Sequence, residues 1–202
     1  MTHLYAVPTA AMYQKADLVR KNTTLLQEKS ICMKEDGTIR IIVMSDTHGD
    51  YTVSNQVIER ELPFDYLIHC GDAQADPESF LEHRVEYGLL AVKGNCDWFV
   101  DLPEARLQEF GFYKVLIVHG HMQDVHNGHR YLLESAKRNF ADVVLYGHTH
   151  TPLMKRYEDQ GVLVVNPGSL TQNRPHGTPG SYAVLTISED DLPQAQIVYL
   201  DA

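Results

Sequence analysis

The stretch IRIIVMSDTHGD, residues 39–50, decides how the rest of the chain reads. Ile39 to Met44 is apolar almost without a break, the pattern of a parallel strand buried on both faces, whereas a strand with one wet face alternates. Asp46 and His48 then fall on the loop just beyond it. Four further segments repeat the arrangement. Asp65 to His69 precedes Gly71-Asp72, Leu89 to Val92 precedes Gly94-Asn95, Val115 to Val118 precedes His119-Gly120-His121, and Val143 to Tyr146 precedes Gly147-His148-Thr149-His150. In open α/β sheets ligands collect beyond the carboxyl ends of the strands, so these five loops are expected to converge. The glycines at 71, 94, 120 and 147 suit tight exits where backbone passes close to an ion.

Carboxylate and imidazole ligands suit manganese, iron, zinc or nickel, and three scattered cysteines, Cys32, Cys70 and Cys96, cannot build a thiolate site. Two cations about 3.5–4 Å apart can bridge one water, lower its pKa and clamp a phosphoryl oxygen during in-line displacement. Such a pair needs a shared ligand, and a carboxylate with two oxygens is the natural choice; Asp72 is assigned that role.

At these residues the chain resembles the calcineurin-like metallophosphoesterase superfamily, and within it the small bacterial and archaeal phosphodiesterases, over about residues 39–187. The resemblance implies an α/β fold in four layers, an α-β-β-α sandwich of two packed mixed sheets with the metal site at the carboxyl ends of strands. It implies a first metal held by Asp46, His48, Asp72 and His150, and a second held by Asp72, Asn95, His119 and His148. Two divalent ions are expected, manganese first, with nickel, iron or zinc as the alternatives. The activity implied is hydrolysis of small phosphodiesters through a metal-bridging hydroxide, with Asp72, Asn95 and His121 assigned to catalysis. One position departs from the wider superfamily. Where many members carry a histidine after the Asn ligand, this chain has Cys96, followed by Asp97. A thiol is a poor proton donor in place of an imidazole near neutral pH. Gly-Asn-Cys-Asp recurs in the small phosphodiesterase branch, so the change points to diesters with good leaving groups and away from monoesters.

Each motif alone also has an ordinary use. Asp46-x-His48 after a strand can be a capping turn, and His121 can face substrate or merely hydrogen-bond within its loop. Asn166-Pro167-Gly168-Ser169, after the apolar run Val162 to Val165, is either simple turn chemistry or the family loop that borders the site. Arg174, just downstream, can meet a substrate phosphate through two parallel hydrogen bonds. Asp97 reads as support for a metal-binding imidazole, which usually donates its other N–H to a carboxylate or carbonyl. With Cys96 and Arg174 it makes up the residues expected near substrate. His69, His126 and His129 read as packed or surface side chains, His69 because it sits inside an apolar strand.

At 202 residues the chain suits one domain with a sizeable core, divided as an N-terminal extension over 1–38 and the metallophosphoesterase domain over 39–202. No apolar run of about 18 residues or more is present, so no membrane span is expected. The N-terminus lacks the charged lead and long apolar stretch of a secretion signal, and an odd, widely spaced set of cysteines points to a reducing cytoplasm. A formal charge of −10 opposes binding to long nucleic acid, whose affinity comes from cationic contacts to phosphate. Two divalent ions would still bring four positive charges against the two of Asp46 and Asp72, so a small phosphodiester is the expected partner.

In the extension, Ala11-Met12, Leu18-Val19 and Leu25-Leu26 recur every seven positions, with Thr9 as a candidate N-cap, which predicts an amphipathic helix over about 9–29. Its apolar stripe must be buried, either on the chain's own domain or between the subunits of a homo-oligomer. Further helices are expected over 77–86 and 128–139. Hairpins are expected to turn at Gly111-Phe112 and at Gln160-Gly161, with strands 182–187 and 196–200 completing the second sheet. Besides the phosphodiesterase, two readings stay open: a noncatalytic scaffold of the same fold, as in the retromer subunit, and a phosphomonoesterase or nuclease of the same superfamily. The intact ligand set counts against the first, and the short length and acidic balance against a nuclease.

Overall fold

The computed structural model describes residues 37–74, 87–171, 173 and 177–201; the helices expected over 9–29 and 77–86, and Arg174, lie outside the described residues. In chain order the elements are β1 (Thr38–Met44), α1 (Tyr51–Glu61), β2 (Tyr66–His69), β3 (Gly88–Ala91), β4 (Ala105–Phe110) and β5 (Tyr113–Val118). After two short 3-10 turns come α2 (Arg130–Asn139), β6 (Val143–Leu145), β7 (Leu153–Tyr157), β8 (Val162–Asn166), β9 (Ser181–Ser188) and β10 (Gln194–Tyr199). They form two five-stranded mixed sheets, ordered β10-β9-β1-β2-β3 and β4-β5-β6-β8-β7.

The unbroken apolar runs have a direct physical cause. Along β1, Ile39, Ile41 and Val43 enter the core between the sheets together with Val115, Ile117, Val143 and Leu145. The alternate residues Ile42 and Met44 face outward and pack with Val57 and Ile58 of α1. In the second sheet Leu116, Val118 and Val144 likewise face Leu132 and Ala136 of α2. Each central strand is thus covered on both faces, which removes the alternation a one-sided sheet would show. Helix, sheet, sheet and helix make the four expected layers.

The strands β1, β2 and β3 are parallel, as are β5, β6 and β8, so the loops after β1, β2, β3, β5 and β6 leave at one end of the sandwich. Both hairpins turn where expected, between β4 and β5 and between β7 and β8. Two expectations need correcting. The last two strands do not complete the second sheet: β9 pairs antiparallel with β1, and β10 closes that edge. There Ala183, Leu185 and Ile187 face the inter-sheet core, the same placement an apolar strand would have in either sheet. Helix α1, which the periodicity did not single out, starts after Asp50, whose Oδ1 accepts the Val53 N–H at 3.2 Å.

Candidate metal centre

The five loops meet. Asp46 N donates to Gly71 O at 3.0 Å, His48 N to Asp72 O at 3.0 Å, and Gly147 N to His119 O at 3.0 Å, so the ligand-bearing turns are stitched together through backbone. The close approach requires two glycines in particular. A Cβ on Gly94 would lie 2.1 Å from Asp72 Oδ1, and one on Gly147 would lie 1.9 Å from Ser45 Oγ.

Among the described residues, three side-chain groups have ligand atoms all within 4.8 Å of one another: Asp46 with His48 and His150, His48 with Asp72 and Cys96, and Asp46 with Asp72 and His119. The Nε2 atoms of His48 and His150 face each other at 3.3 Å. His119 directs Nδ1 at the Cys70 carbonyl, 2.8 Å away, and so donates there. Its Nε2 is left towards Asn95 Oδ1 at 3.1 Å, Asp72 Oδ2 at 3.4 Å and Asp46 Oδ1 at 3.9 Å. A backbone carbonyl that fixes the imidazole tautomer in this way is the usual support of a metal-binding histidine. His148 stands beside His119, with ring centroids 5.1 Å apart, and its backbone N–H binds Asp46 Oδ2 at 3.0 Å.

The electrostatics favour a cation. Asp46 is fully buried, and its Oδ1 makes no hydrogen bond among the described residues, with His150 Nε2 3.3 Å away. An orphaned, buried carboxylate oxygen facing imidazole nitrogens fits a metal ion. Burial pushes the Asp46 carboxyl up, yet the opposing pull of His150 and His119 leaves it below its usual range. At Asp72 burial is likewise outweighed, by His119 and by the N–H of Cys96 on Oδ1 at 2.7 Å, and the group sits well below an ordinary carboxylate. Burial also lowers His119, but Asp72 and Asp46 raise it more. His148 is held low by burial and then by the neighbouring His119 and His126. Both carboxylates are therefore ionised, and His148 neutral, at pH 7.

The residues expected near substrate separate. His121 lies at the rim, its ring centroid 5.4 Å from that of His119, with Nε2 3.9 Å from Glu104 Oε2. Cys96 is half-buried; burial and then Asp72 push its thiol up to about 11. Asp97 is buried, only 1% exposed. Its carboxylate accepts the backbone N–H groups of Asp72 and Gly94 at 2.8 Å and of Gln74 at 2.7 Å, and so holds the loops after β2 and β3 together. It supports backbone and not an imidazole, a role that a motif on its own could not distinguish.

Two further positioning residues lie in the Asn166-Pro167-Gly168-Ser169 loop, whose sequence allows either simple turn chemistry or a place at the border of the site. Asn166 donates to the Gly147 carbonyl at 2.9 Å and to Thr149 Oγ1 at 3.0 Å, and Ser169 Oγ donates to the Asp46 carbonyl at 2.7 Å. The Asn-Pro-Gly-Ser turn thus braces two ligand loops from behind. Glu104, raised by burial, turns Oε2 toward His121; nothing in its local sequence marks it. His69 is buried as expected, between Thr47 Oγ1 and the Gly71 N–H, and burial lowers it to about 4. His129 bonds the Tyr146 and Tyr157 hydroxyls on the far side of the second sheet.

Comparison with known proteins agrees with this arrangement. YsnB of Bacillus subtilis, designated a probable metallophosphoesterase, is 31% identical over 153 residues, 75% of this chain and 86% of its own. A phosphodiesterase of Methanocaldococcus jannaschii is 32% identical over 147 residues, 64% of this chain and 83% of its own. The crystal structure of a predicted phosphoesterase from Streptococcus pneumoniae superposes with a TM-score of 0.70 at 32% identity, covering 80% of this chain and 90% of that one. The family profile described as the calcineurin-like phosphoesterase superfamily domain matches residues 39–190, and the chain belongs to that superfamily.

Proposed function

We propose that the chain is a metal-dependent phosphodiesterase whose site takes two divalent cations, manganese first. Asp46, His48, Asp72 and His150 would hold one, and Asp72, Asn95, His119 and His148 the other. A single observation carries this reading: the carboxylates Asp72 and Asp46 each belong both to a ligand group with His48 and to the one with His119, so the two candidate metal positions adjoin, and Asp72 is the one proposed to span them. That is the position of a shared carboxylate. When bound, the cations would supply Lewis-acid charge and a nucleophile derived from water.

The chain's own groups do the rest. Ionised Asp46 and Asp72 offset the cations' charge, and the Cys70 carbonyl keeps the His119 lone pair on Nε2. His121, with Glu104 beside it, would meet a substrate phosphoryl oxygen. Arg174 is proposed as a second phosphate contact. Cys96, with its thiol near 11, cannot protonate a leaving oxygen efficiently at neutral pH, so substrates whose leaving group departs unprotonated are favoured. Small aryl phosphodiesters meet that condition.

The test is Asp72→Ala assayed with manganese and bis-nitrophenyl phosphate, with metal content measured on the same samples. Both bound metal and turnover should be lost; a wild-type rate in this variant overturns the assignment. In the wild type, aryl phosphodiesters should show a higher kcat/KM than alkyl monoesters, and Cys96→His should shift the ratio toward monoesters. Equal values for the two classes in the wild type refute the leaving-group argument. A scaffold would show no manganese-stimulated hydrolysis, and a nuclease would degrade single-stranded DNA with comparable efficiency.

A further inference from the structure

Asn95 is the one carboxamide among the proposed ligands. A carboxylate offers oxygen at either corner, whereas a carboxamide offers oxygen on one side and an N–H2 group on the other, and only the oxygen can hold a cation. What meets the far side of the amide decides which way it turns. In the structure Oδ1 lies 3.1 Å from His119 Nε2, and Nδ2 donates to Cys96 Sγ at 3.2 Å.

The contact with His119 does not set that orientation. His119 donates through Nδ1 to the Cys70 carbonyl, so while the ring is neutral Nε2 carries a lone pair, and Oδ1 facing it sets acceptor against acceptor. Left to itself, the amide would gain a hydrogen bond by turning over and donating Nδ2 to Nε2, which would withdraw the oxygen from the proposed second cation. The sulfur opposes that turn. Backbone bonds place it: Asp97 N closes the turn on Gly94 O at 3.4 Å, and the Cys96 N–H binds Asp72 Oδ1 at 2.7 Å. Sγ lies within 4.8 Å of an Asp72 carboxylate oxygen, so the weak S–H donor has a carboxylate to face and the sulfur lone pairs are left for Asn95. The same sulfur stands in a ligand group with His48 and Asp72, but the bond from Nδ2 gives it a supporting role instead.

We infer that Cys96 is a positioning residue, whose sulfur accepts from Asn95 Nδ2 and so keeps Asn95 Oδ1 turned to His119 and to the second cation. The cation half of this rests on the two-metal reading above; the amide half does not.

Full-length wild type, Cys96→Ala and Cys96→Ser test the two halves separately. The bond from the Cys96 N–H to Asp72 is backbone and survives in all three, so differences report on the side chain. On metal-free protein at alkaline pH, where the His119 ring is neutral, nuclear Overhauser contacts from the Asn95 side-chain N–H2 to His119 Hε1 should be absent in the wild type and appear in Cys96→Ala. Cys96→Ser, whose hydroxyl accepts the same bond, should behave as the wild type. Manganese titration followed by electron paramagnetic resonance should give the wild type two cations. Cys96→Ala should keep the affinity of the first and lose about tenfold in that of the second, with serine recovering most of the loss. Cobalt-loaded wild type should lack a thiolate-to-metal charge-transfer band. Identical amide contacts in wild type and Cys96→Ala overturn the inference. So do an unchanged second affinity, equal losses at both cations, which a merely structural change would give, or the charge-transfer band, which would make the sulfur a ligand. A wild type that binds one manganese overturns the two-metal reading alone, and the amide contacts then decide the role of Cys96.

Discussion

The two ends of the sandwich solve the same geometric problem with different residues. Away from the site, the positions that need a left-handed backbone in the turns before β1, between β4 and β5 and between β7 and β8 are Gly37, Gly111 and Gly161, with φ between 57° and 67°. At the ligand end the same conformation is taken by Asp46, His48, Asp72, His148 and His150, with φ between 48° and 69°. A left-handed L-residue costs roughly 1–2 kcal/mol, less for aspartate. Five in one small region are tolerated only where surrounding contacts over-determine the backbone. Here those contacts are the Asp97 carboxylate, the Asn166 amide and the Ser169 hydroxyl. The ligand end is held in a strained shape for its side chains, while these three glycine turns at the other end carry no such strain.

The largest expected effect breaks the ligand end without touching a ligand. Gly94→Ala places a methyl 2.1 Å from Asp72 Oδ1 and 2.3 Å from Asp72 N, both of which are pinned and cannot yield cheaply. Asp72 must shift, and a displacement of about 1 Å in a reacting constellation costs on the order of 10²-fold in rate. Hydrolysis of bis-nitrophenyl phosphate and metal occupancy should fall together in this variant. Activity within a factor of two of wild type would mean that the tight approach of these loops is not what sets the site.

A smaller effect sharpens the comparison through pH. His69 lies directly beneath the ligand loops and is neutral when folded, burial holding it near 4 against the pull of Asp46 and Asp97. In the unfolded chain it titrates near 6.5. The unfolded state therefore binds the extra proton first, and folding stability is intact above pH 6.5 and declines as pH falls from 6.5 towards 4. The full difference is about 3 kcal/mol. The metal-free His69→Gln protein should lack that slope in denaturant titrations between pH 7 and 4.5. Parallel slopes for wild type and variant would remove His69 as the acid-labile point of this end.

The parts of the fold that were legible in the sequence are those where one physical cause dominates. Continuous apolar runs mark β1, β2, β5, β6 and β8 because those strands are covered on both faces, and a ligand type follows most of them. Gly111 and Gly161 mark hairpins because the turns need their backbone freedom. Sheet membership was not legible: β9 is apolar whether it joins β1 or the other sheet, and only register against Thr38–Val43 decides it. Helix α1 buries only Ser54, Val57 and Ile58, too short a stripe to stand out beside a strong ligand motif. Glu104, Asn166 and Ser169 act on residues 17 to 123 positions away, through backbone carbonyls or a rim imidazole, and no local pattern encodes such partners.

The smallest effect is also the most direct measure of stored strain. At Gly161 a Cβ meets nothing within 4 Å, so Gly161→Ala isolates the backbone term and should lower the unfolding free energy by about 1 kcal/mol with hydrolysis unchanged. At His48, φ 48°, the same term enters with the opposite sign: His48→Gly should be more stable than His48→Ala by about 1 kcal/mol in the metal-free protein, although both lose activity. The alanine variant keeps the strain and loses the ligand; the glycine variant loses both. Because the two changes are read in the same denaturant assay, each measures the same backbone cost, once where glycine avoids it and once where the ligand end bears it to present an imidazole. Coincident midpoints for His48→Ala and His48→Gly would show that the loop relaxes out of the left-handed region once the side chain is gone, and that the strain belongs to the ligand set and not to the backbone around it.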